Sequence, residues 1–342
     1  MRKKPCRDPK YCGLQREKPK TGFQHTPLYG DLPICAPGIQ SASLEAERRP
    51  DLQRTPDLER TMILLFLLAC VIAFFVPAIQ NWICGVLRRT PALVWAIPFL
   101  LTAIFAAASA MAAAFSIPLT AIVLLYTLAP TASAVQRFDF LTVLLLWLPI
   151  EFAGALSGFV PRPAQGFLHS VAYGIAILLG LTLFLGFRNL PGMKYNTPRG
   201  LRDLWLPFAA YAMLAPVLMI IGVAIRFIPL PHAAHQTPGR MAAIAAIIFV
   251  GTALPEEILF RSLIQNLVQQ RFGENTRALL LASAIFGAAH LDNGPQALPN
   301  WRYMILATIA GFAYGKVFQK ASTVLSSAGL HMLVDWTKHF FF

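Results

Sequence analysis

Long apolar runs follow one another from residue 62 to the end of the chain, with only short polar breaks between them. An α-helix rises about 1.5 Å per residue, so about 20 apolar residues cross the hydrocarbon core of a bilayer. Backbone N–H and C=O groups find no water there, and a helix satisfies them within its own run. The sequence therefore predicts an all-α fold, a polytopic bundle of eight to ten transmembrane helices. The runs lie at about 62–87, 92–113, 117–135, 140–158, 167–187, 204–227, 240–265, 277–291, 303–319 and 323–340.

The composition agrees with a membrane protein. Of all residues, 56% are apolar and 13% are charged, whereas a soluble globular protein has about 45–50% and about 25%. These values exclude an ordinary soluble globule and a disordered chain. The net charge of +13 could suggest a nucleic-acid partner. Most bases, however, end apolar runs, so the anionic headgroups of a lipid bilayer are the expected partner and nucleic acid is not.

The chain divides by composition into three parts. Residues 1–61 are rich in Pro, Arg, Lys, Asp and Gln without periodicity, and we predict a disordered basic tail there. Met62 opens the first apolar run, so a later start codon, which would leave the tail out of the mature protein, stays open. Residues 62–235 are predicted to form N-terminal transmembrane helices, and residues 236–342 to form the helices of a catalytic core.

Ionisable residues are sparse in the apolar runs up to residue 250 and cluster in the last third of the chain. An isolated ionised side chain in mid-bilayer costs about 2.5–3.5 kcal/mol on insertion scales, so such groups face inward and pair, or line a wet cavity. We therefore expect the ionisable residues in the last third of the chain to converge on one site. Its members are Glu256, Glu257, Arg261, His290, His331 and Asp335.

The spacing of these residues supports one site. Glu257 and Arg261 stand at i,i+4 on one helix face, where they can pair. Glu256 is rotated by about 100° from Glu257, so one carboxylate can be held by arginine while the other points elsewhere. His331 and Asp335 are also at i,i+4, and the acid can orient the imidazole. A merely structural ion pair explains any one of these features alone, but not the whole set.

Three motifs carry a family resemblance. EExxxR occurs at Glu256–Arg261, FxxxH at Phe286–His290 and HxxxD at His331–Asp335, in this order on successive predicted helices. Together they resemble the CPBP intramembrane endopeptidases, which include the eukaryotic prenyl-protein (CAAX) proteases and the bacterial Abi or bacteriocin-processing proteins. The resemblance covers about residues 240–340. It implies a membrane-embedded peptidase in which a glutamate activates water.

The resemblance also implies a role for each matched residue. Glu256 would be the general base, His290 would help to hold the water, and His331 with Asp335 would stabilise the oxyanion. The eukaryotic CAAX proteases carry asparagine where this chain has Asp335, and an ionised aspartate accepts hydrogen bonds but cannot donate one. Asp335 must therefore be protonated or act by orienting His331. The residues implied to support the site are Glu257, Arg261 and Phe286.

Two alternatives stay open. Glu256, His290 and His331 could form a zinc site with one open position, but all three lie on different helices, and we expect catalysis without a metal or other cofactor. The buried charges could also belong to a transporter or scaffold, although the chain shows no internal repeat. The expected substrate is a membrane-anchored protein or peptide, and the expected location is a bacterial inner (plasma) membrane, as a multi-pass integral protein.

Overall fold

The computed structural model describes residues 50–151, 160–232, 236–293 and 298–342. The chain divides into two units, residues 1–38 and 39–342, and every described residue belongs to the second. Most of the predicted disordered tail therefore lies outside the described residues. The first described helix begins at Pro50, ahead of the predicted boundary at residue 62, because proline suits the first position of a helix that continues into the apolar run.

All regular secondary structure in the described residues is helical, and they contain no strand. This confirms the all-α prediction for them. The breaks between helices fall close to the predicted ones. The helices are α1 Pro50–Ala73, α2 Pro77–Arg89, α3 Pro91–Met111, α4 Ile117–Val135, α5 Asp139–Glu151, α6 Arg162–Phe187, α7 Leu201–Ala224, α8 Pro238–Phe272, α9 Thr276–Ala288, α10 Trp301–Lys320 and α11 Val324–Phe341.

The predicted number of eight to ten membrane spans is not confirmed. Within the described residues, five helices are long and apolar enough to cross a membrane, namely α3, α4, α6, α7 and α8. The predicted run 62–87 is not one straight helix, because α1 and α2 meet at a bend of 87°. Pro77 starts α2 and cannot continue the hydrogen-bond ladder of α1. The two would make a sixth span if the bent pair crosses as one unit.

Helix α7 shows how the bundle meets its surroundings. Only 17% of its most apolar segment is buried inside the protein. Phe208, Met213 and Ile220 are all largely exposed along it. Exposed apolar surface of this extent marks contact with another apolar phase. Together with the five apolar helices, it identifies an integral membrane protein whose lipid-facing surface includes α7.

Glycines bring α10 close to its neighbours. A Cβ atom on Gly311 would lie 2.8 Å from Cδ1 of Phe286, and one on Gly315 would lie 2.5 Å from Oε1 of Gln265. At either distance, a side chain at the glycine would require its neighbour to move. Helix α10 therefore packs against α9 and α8 with its backbone in contact, as the GxxxG spacing of these two glycines favours.

A polar clamp fixes the turn between α10 and α11. Asp203, in the first turn of α7, accepts hydrogen bonds from the backbone N–H of Ser322 at 2.8 Å and from its hydroxyl at 2.5 Å. Lys194, in the loop before α7, donates to the carbonyl oxygens of Phe318 at 2.6 Å and of Ala321 at 3.0 Å. Burial lowers the pKa of Lys194 below its ordinary value. The clamp sets where α11 begins, and α11 carries His331 and Asp335.

Candidate active site

The motif helix α8 departs from regular α-helical geometry on both sides of the acidic pair. π-Helical turns occupy Phe249–Ala253 and Ile258–Gln265, and four α-helical residues, Leu254–Glu257, lie between them. π-Turns within helices occur frequently at functional sites, where they change the direction of side chains. Pro255 lies in the short α-helical piece and supplies no N–H to the ladder. The helix accommodates it without a break, since α8 runs on to Phe272.

The two adjacent carboxylates have different surroundings. Glu257 is fully buried, and its Oε2 accepts a hydrogen bond from Nε of Arg261 at 3.0 Å. Glu256 keeps 22% of its side chain exposed and lines a cavity. The i,i+4 pair and the rotation between the two acids thus appear in the structure as their spacing predicts. Glu257 is committed to its ion pair with Arg261, and Glu256 borders the cavity.

Arg261 is the largest fully buried side chain in the described residues. Its Nη1 lies 3.5 Å from Oε1 of Gln265, and its guanidinium carbon lies 4.8 Å from the ring centroid of Phe286 and 5.8 Å from that of Tyr314. Gln265 in turn donates to the carbonyl of Gly315 at 3.2 Å. Cation–π contact and the hydrogen bonds of Nε and Nη1 compensate part of the loss of water around this charge, while Nη2 is buried without a hydrogen-bond partner in the described part of the chain.

His331 lies at the junction of three carboxylates. Its Nδ1 is 3.2 Å from Oε1 of Glu257, and its Nε2 is 3.4 Å from Oδ2 of Asp335 and 3.9 Å from Oε2 of Glu256. Carboxylates accept hydrogen bonds, and only the imidazolium carries a proton on both ring nitrogens. The surroundings therefore stabilise a cationic His331. The ring also stacks on Tyr314, with 4.7 Å between centroids.

His290 has a different hydrogen-bond pattern. Its Nδ1 lies 2.8 Å from the carbonyl oxygen of Phe286. Because a carbonyl oxygen can only accept, Nδ1 carries a proton, and Nε2 of the neutral ring holds a lone pair. His290 is buried to 8% exposure, lines the cavity, and meets the ring of Tyr303 edge-on at 4.6 Å. An accepting nitrogen at a cavity wall can hold a water molecule.

Phe286 is the aromatic centre of the site. Its ring centroid lies 4.8 Å from that of His290, 5.8 Å from that of His331 and 5.9 Å from that of Tyr314. It also receives the guanidinium of Arg261 on its ring. A single side chain therefore spaces the two histidines apart and covers the buried ion pair. These contacts explain why the FxxxH motif of this chain has a phenylalanine at its first position.

A cavity of about 140 Å³ connects these groups. One water molecule needs about 10–15 Å³ of cavity volume, so this cavity has room for several water molecules. Its polar lining includes four of the residues singled out from the sequence, namely Glu256, His290, His331 and Asp335. Much of the remaining wall is apolar and comes from α7 and α10. The arrangement places a partly exposed carboxylate, an accepting imidazole and a cationic imidazole around one cavity.

All seven residues expected from the sequence lie in or beside this cavity, and sequence reasoning missed several others. Tyr314, Gln265, Tyr303 and Lys338 each contact the site through a ring, an amide or a charge. Tyr314 lies inside the GxxxG segment, which indicates packing and does not mark the ring that it positions. Tyr303 has the signature of an interfacial anchor. Their roles depend on how the helices pack against one another, and residue spacing along a single helix does not predict that packing.

The described residues contain no group of three or more His, Cys, Asp or Glu side chains that could hold a metal ion. The alternative of a zinc site at Glu256, His290 and His331 is thus not confirmed. His331 already faces carboxylates through both ring nitrogens. A metal would have to displace these partners to use either nitrogen.

A partly exposed glutamate, two histidines and their supporting residues thus share one cavity inside an apolar helical bundle. Residues 238–337 match the family model described as type II CAAX prenyl endopeptidase Rce1-like. The match runs from α8 into α11, includes all seven expected residues, and confirms the resemblance to the CPBP family for this segment, which is less than a third of the chain. The family is one of membrane endopeptidases. No curated protein and no solved structure gives a significant match to the chain.

Proposed function

We propose that this protein is an intramembrane endopeptidase in which Glu256 activates a water molecule to hydrolyse a peptide bond of a membrane-associated substrate. The observation that carries the proposal is the shared cavity lined by Glu256, His290 and His331. Of the two motif acids, only Glu256 reaches this cavity, since Glu257 is fully buried in its ion pair. The general base is therefore assigned to the first acid of the pair.

The surrounding groups suit the steps of hydrolysis. Glu256 takes a proton from water held by the lone pair of His290 Nε2, and the resulting hydroxide attacks the carbonyl carbon of the substrate. The cationic His331, held 3.2 Å from Glu257, stabilises the negative charge that develops on the carbonyl oxygen. The proton on Glu256 then passes to the leaving nitrogen as the C–N bond breaks. Asp335 orients His331 from Nε2.

The proposed substrate is a peptide or protein anchored in the same membrane, and the proposed location is a bacterial inner membrane. The family match and the five apolar helices support a substrate that approaches within or along the bilayer. The apolar cavity wall from α7 and α10 suits apolar side chains next to the scissile bond. We further propose that no metal takes part, and the support is the pairing of both His331 nitrogens with carboxylates.

The test is Glu256→Gln in protein reconstituted into liposomes, with hydrolysis of membrane-anchored peptides followed by mass spectrometry. Removal of a general base lowers the rate by about 10²–10⁴-fold, while the near-isosteric amide leaves the fold and thermal unfolding unchanged. Glu274→Gln, at an exposed loop position, is the matched control and keeps full activity. Retained turnover in Glu256→Gln would contradict the mechanism. Transport or scaffolding that survives this substitution would favour the alternative function.

A further inference from the structure

Helix α2, at Pro77–Arg89, has the dimensions of a helix that lies on a membrane surface and does not cross it. Its 13 residues extend for about 20 Å at 1.5 Å per residue, which is short of the roughly 30 Å of hydrocarbon in a bilayer. It leaves α1 at a bend of 87°. The direction of α2 in the membrane therefore depends on the direction of α1.

Helix α1 runs parallel to α6, which is one of the helices long and apolar enough to cross a membrane. The guanidinium of Arg60 lies over the ring of Phe167, 5.8 Å from its centroid. Seven residues later on both helices, Cδ1 of Leu67 lies 3.1 Å from the place of a Cβ atom on Gly174. Equal steps in the same direction mean that the two axes run side by side. The bend of 87° therefore turns α2 nearly perpendicular to α6.

The bend is fixed by contacts with the loop that follows α6. The side-chain amide of Gln80, in the first turn of α2, donates to the carbonyl oxygen of Phe74 and, at 2.6 Å, to that of Tyr195. The hydroxyl of Tyr195 donates to the carbonyl oxygen of Val71 in α1 at 2.8 Å. Its ring stacks on that of Phe75, with 3.8 Å between the centroids. One loop thus holds the end of α1 and the start of α2 at this angle.

The inner face of α2 packs against the end of α6. A Cβ atom on Gly186 would lie 3.0 Å from Cγ2 of Ile83 and 3.2 Å from Cδ1 of Leu87. Helix α6 ends at Phe187, so α2 lies at the level where a helix suited to cross the membrane stops. The headgroup layer of a bilayer begins at that level.

The outer face of α2 carries the residue types that are typical of this layer. Trp82 is 69% exposed, and a Cβ atom on Gly85 would meet nothing within 4 Å. Arg88 and Arg89 are exposed in the last turn. Steps of three or four residues place these positions on one stripe. Tryptophan is enriched at membrane interfaces, and arginine is attracted to anionic headgroups. Residues 61–138 contain three arginines and no acidic residue, so the stripe has a net positive charge.

We propose that α2 lies in the headgroup layer on one side of the membrane and binds anionic phospholipid headgroups through Arg88 and Arg89, with Trp82 as its anchor. The inference goes beyond the proposed hydrolysis, since none of these residues lines the cavity. A bilayer suits this surface better than an acidic protein does. Exposed apolar side chains just before α2, Ile72 and Val76, offer contact to acyl chains beside the charged stripe.

The depth of Trp82 in the bilayer tests the position of α2. The protein is reconstituted into liposomes of phosphatidylcholine and phosphatidylglycerol, with bromine on the acyl chains either near the headgroup or near the terminal methyl group. Since the chain has six tryptophans, the emission of Trp82 is taken as the difference between the wild type and Trp82→Phe. We expect the shallow bromine to quench this emission about twice as strongly as the deep one, because the indole lies at headgroup level.

Two results of the quenching experiment would overturn the proposal. Stronger quenching by the deep bromine would place α2 inside the hydrocarbon, as part of a broken span. No quenching by either bromine would place Trp82 in water or against another protein.

Lipid selectivity tests the two arginines. Native mass spectrometry in mild detergent measures the affinity of the protein for phosphatidylglycerol and for phosphatidylcholine. One base near an anionic surface contributes roughly a fivefold preference, so Arg88→Gln with Arg89→Gln should lower the affinity for the first phosphatidylglycerol about 25-fold. The affinity for phosphatidylcholine should stay unchanged. Arg88→Lys with Arg89→Lys keeps both charges and should keep the preference for the anionic lipid.

The matched control is Arg271→Gln with Arg277→Gln, which removes two exposed charges on either side of Glu274. These residues lie at the same end of the bundle as α2, because Gln270 donates to the carbonyl oxygen of Pro191, in the loop after α6, at 2.9 Å. We expect the control to keep the affinity for phosphatidylglycerol. Equal losses in the two double variants, or no loss in the α2 variant, would overturn the role of α2 whether or not the protein hydrolyses peptides.

Discussion

Oε1 of Glu257 lies 3.2 Å from Nδ1 of His331, and Oε2 of the same carboxylate lies 3.0 Å from Nε of Arg261. One fully buried side chain of α8 thus holds both a structural cation and a histidine of the cavity wall on α11. The arginine is fixed through the aromatic rings around it. The position of His331 therefore depends on an ion pair that does not line the cavity. Loss of this ion pair should affect both stability and turnover.

The first prediction concerns the stability of this ion pair. Arg261→Gln leaves Glu257 buried without its arginine, and removal of one partner of a buried pair costs about 3–5 kcal/mol. The double variant Glu257→Leu with Arg261→Met removes both charges and should lose less stability than the sum of the single changes. Thermal and denaturant unfolding in mild detergent, followed by tryptophan fluorescence, measures both. Additive losses would show that the two groups are not coupled in the folded protein.

The second prediction tests the close approach of α10. Gly315→Ala places a Cβ 2.5 Å from Oε1 of Gln265, and overpacking of this kind costs about 1–3 kcal/mol. It should also lower turnover, because Gln265 contacts the guanidinium of Arg261 at 3.5 Å. Gly251→Ala on α8 is the matched control, since a Cβ there meets nothing within 4 Å.

A Gly315→Ala protein with unchanged unfolding midpoint and unchanged turnover would contradict the packing described for α10. Equal losses in the Gly251→Ala protein would instead point to a general sensitivity of the bundle to alanine. The two variants change the same atoms on neighbouring helices. A difference between the two variants in unfolding midpoint or turnover therefore reflects the lack of space around Gly315.

The helices themselves could be predicted from the sequence, because an apolar run in a membrane protein has few structural options. The prediction 117–135, for instance, coincides with α4 at Ile117–Val135. The bend between α1 and α2 was missed, since the run stays apolar through Phe74–Val76 and only Pro77 signals a new helix. The number of membrane crossings depends on how each helix lies in the bilayer, which periodicity does not determine.

The site could be predicted as a set of residues but not as a geometry. The rotation between Glu256 and Glu257 follows from the helical period, and it correctly separates the cavity acid from the paired acid. The contact from Glu257 to His331 joins two motifs that appear independent in the sequence, because it depends on how α8 packs against α11. Tyr314 and Gln265 were missed for a similar reason, since ordinary ring and amide side chains do not stand out in an apolar run.

The third prediction tests the clamp at the start of α11. Asp203 accepts from the backbone N–H of Ser322 at 2.8 Å and from the N–H of Arg199 at 2.9 Å. Hydrogen bonds to a charged group contribute about 1.5–3 kcal/mol each, so Asp203→Ala should lower stability by at least about that amount. It should also lower turnover although Asp203 does not line the cavity. Asp203→Asn should retain part of the stability and part of the turnover. Equal losses in Asp203→Asn and Asp203→Ala would argue against hydrogen-bond acceptance as the role of Asp203.

The fourth prediction concerns metal dependence. Incubation of the active protein with a strong chelator, followed by removal of the chelator–metal complex, should leave hydrolysis unchanged. The reason is that His331 faces carboxylates through both nitrogens, at 3.2 Å from Glu257 and 3.4 Å from Asp335, so neither nitrogen is available as a metal ligand. Turnover measured before and after treatment, with elemental analysis of the purified protein, provides the check. Activity that disappears and returns specifically with Zn²⁺ would establish the metal-dependent alternative.

The last prediction separates two roles for Asp335. Its Oδ2 lies 3.4 Å from Nε2 of His331, and a cationic imidazole can also donate to the amide oxygen of asparagine, in a weaker bond that lacks the carboxylate charge. Asp335→Asn should therefore keep turnover to within about fivefold, the equivalent of one hydrogen bond of about 1 kcal/mol. Asp335→Leu, which removes the acceptor at similar size, should lose much more while the protein still unfolds cooperatively. If Asn and Leu were equally inactive, Asp335 would have to act through its charge or its own proton, and the orienting role would be wrong.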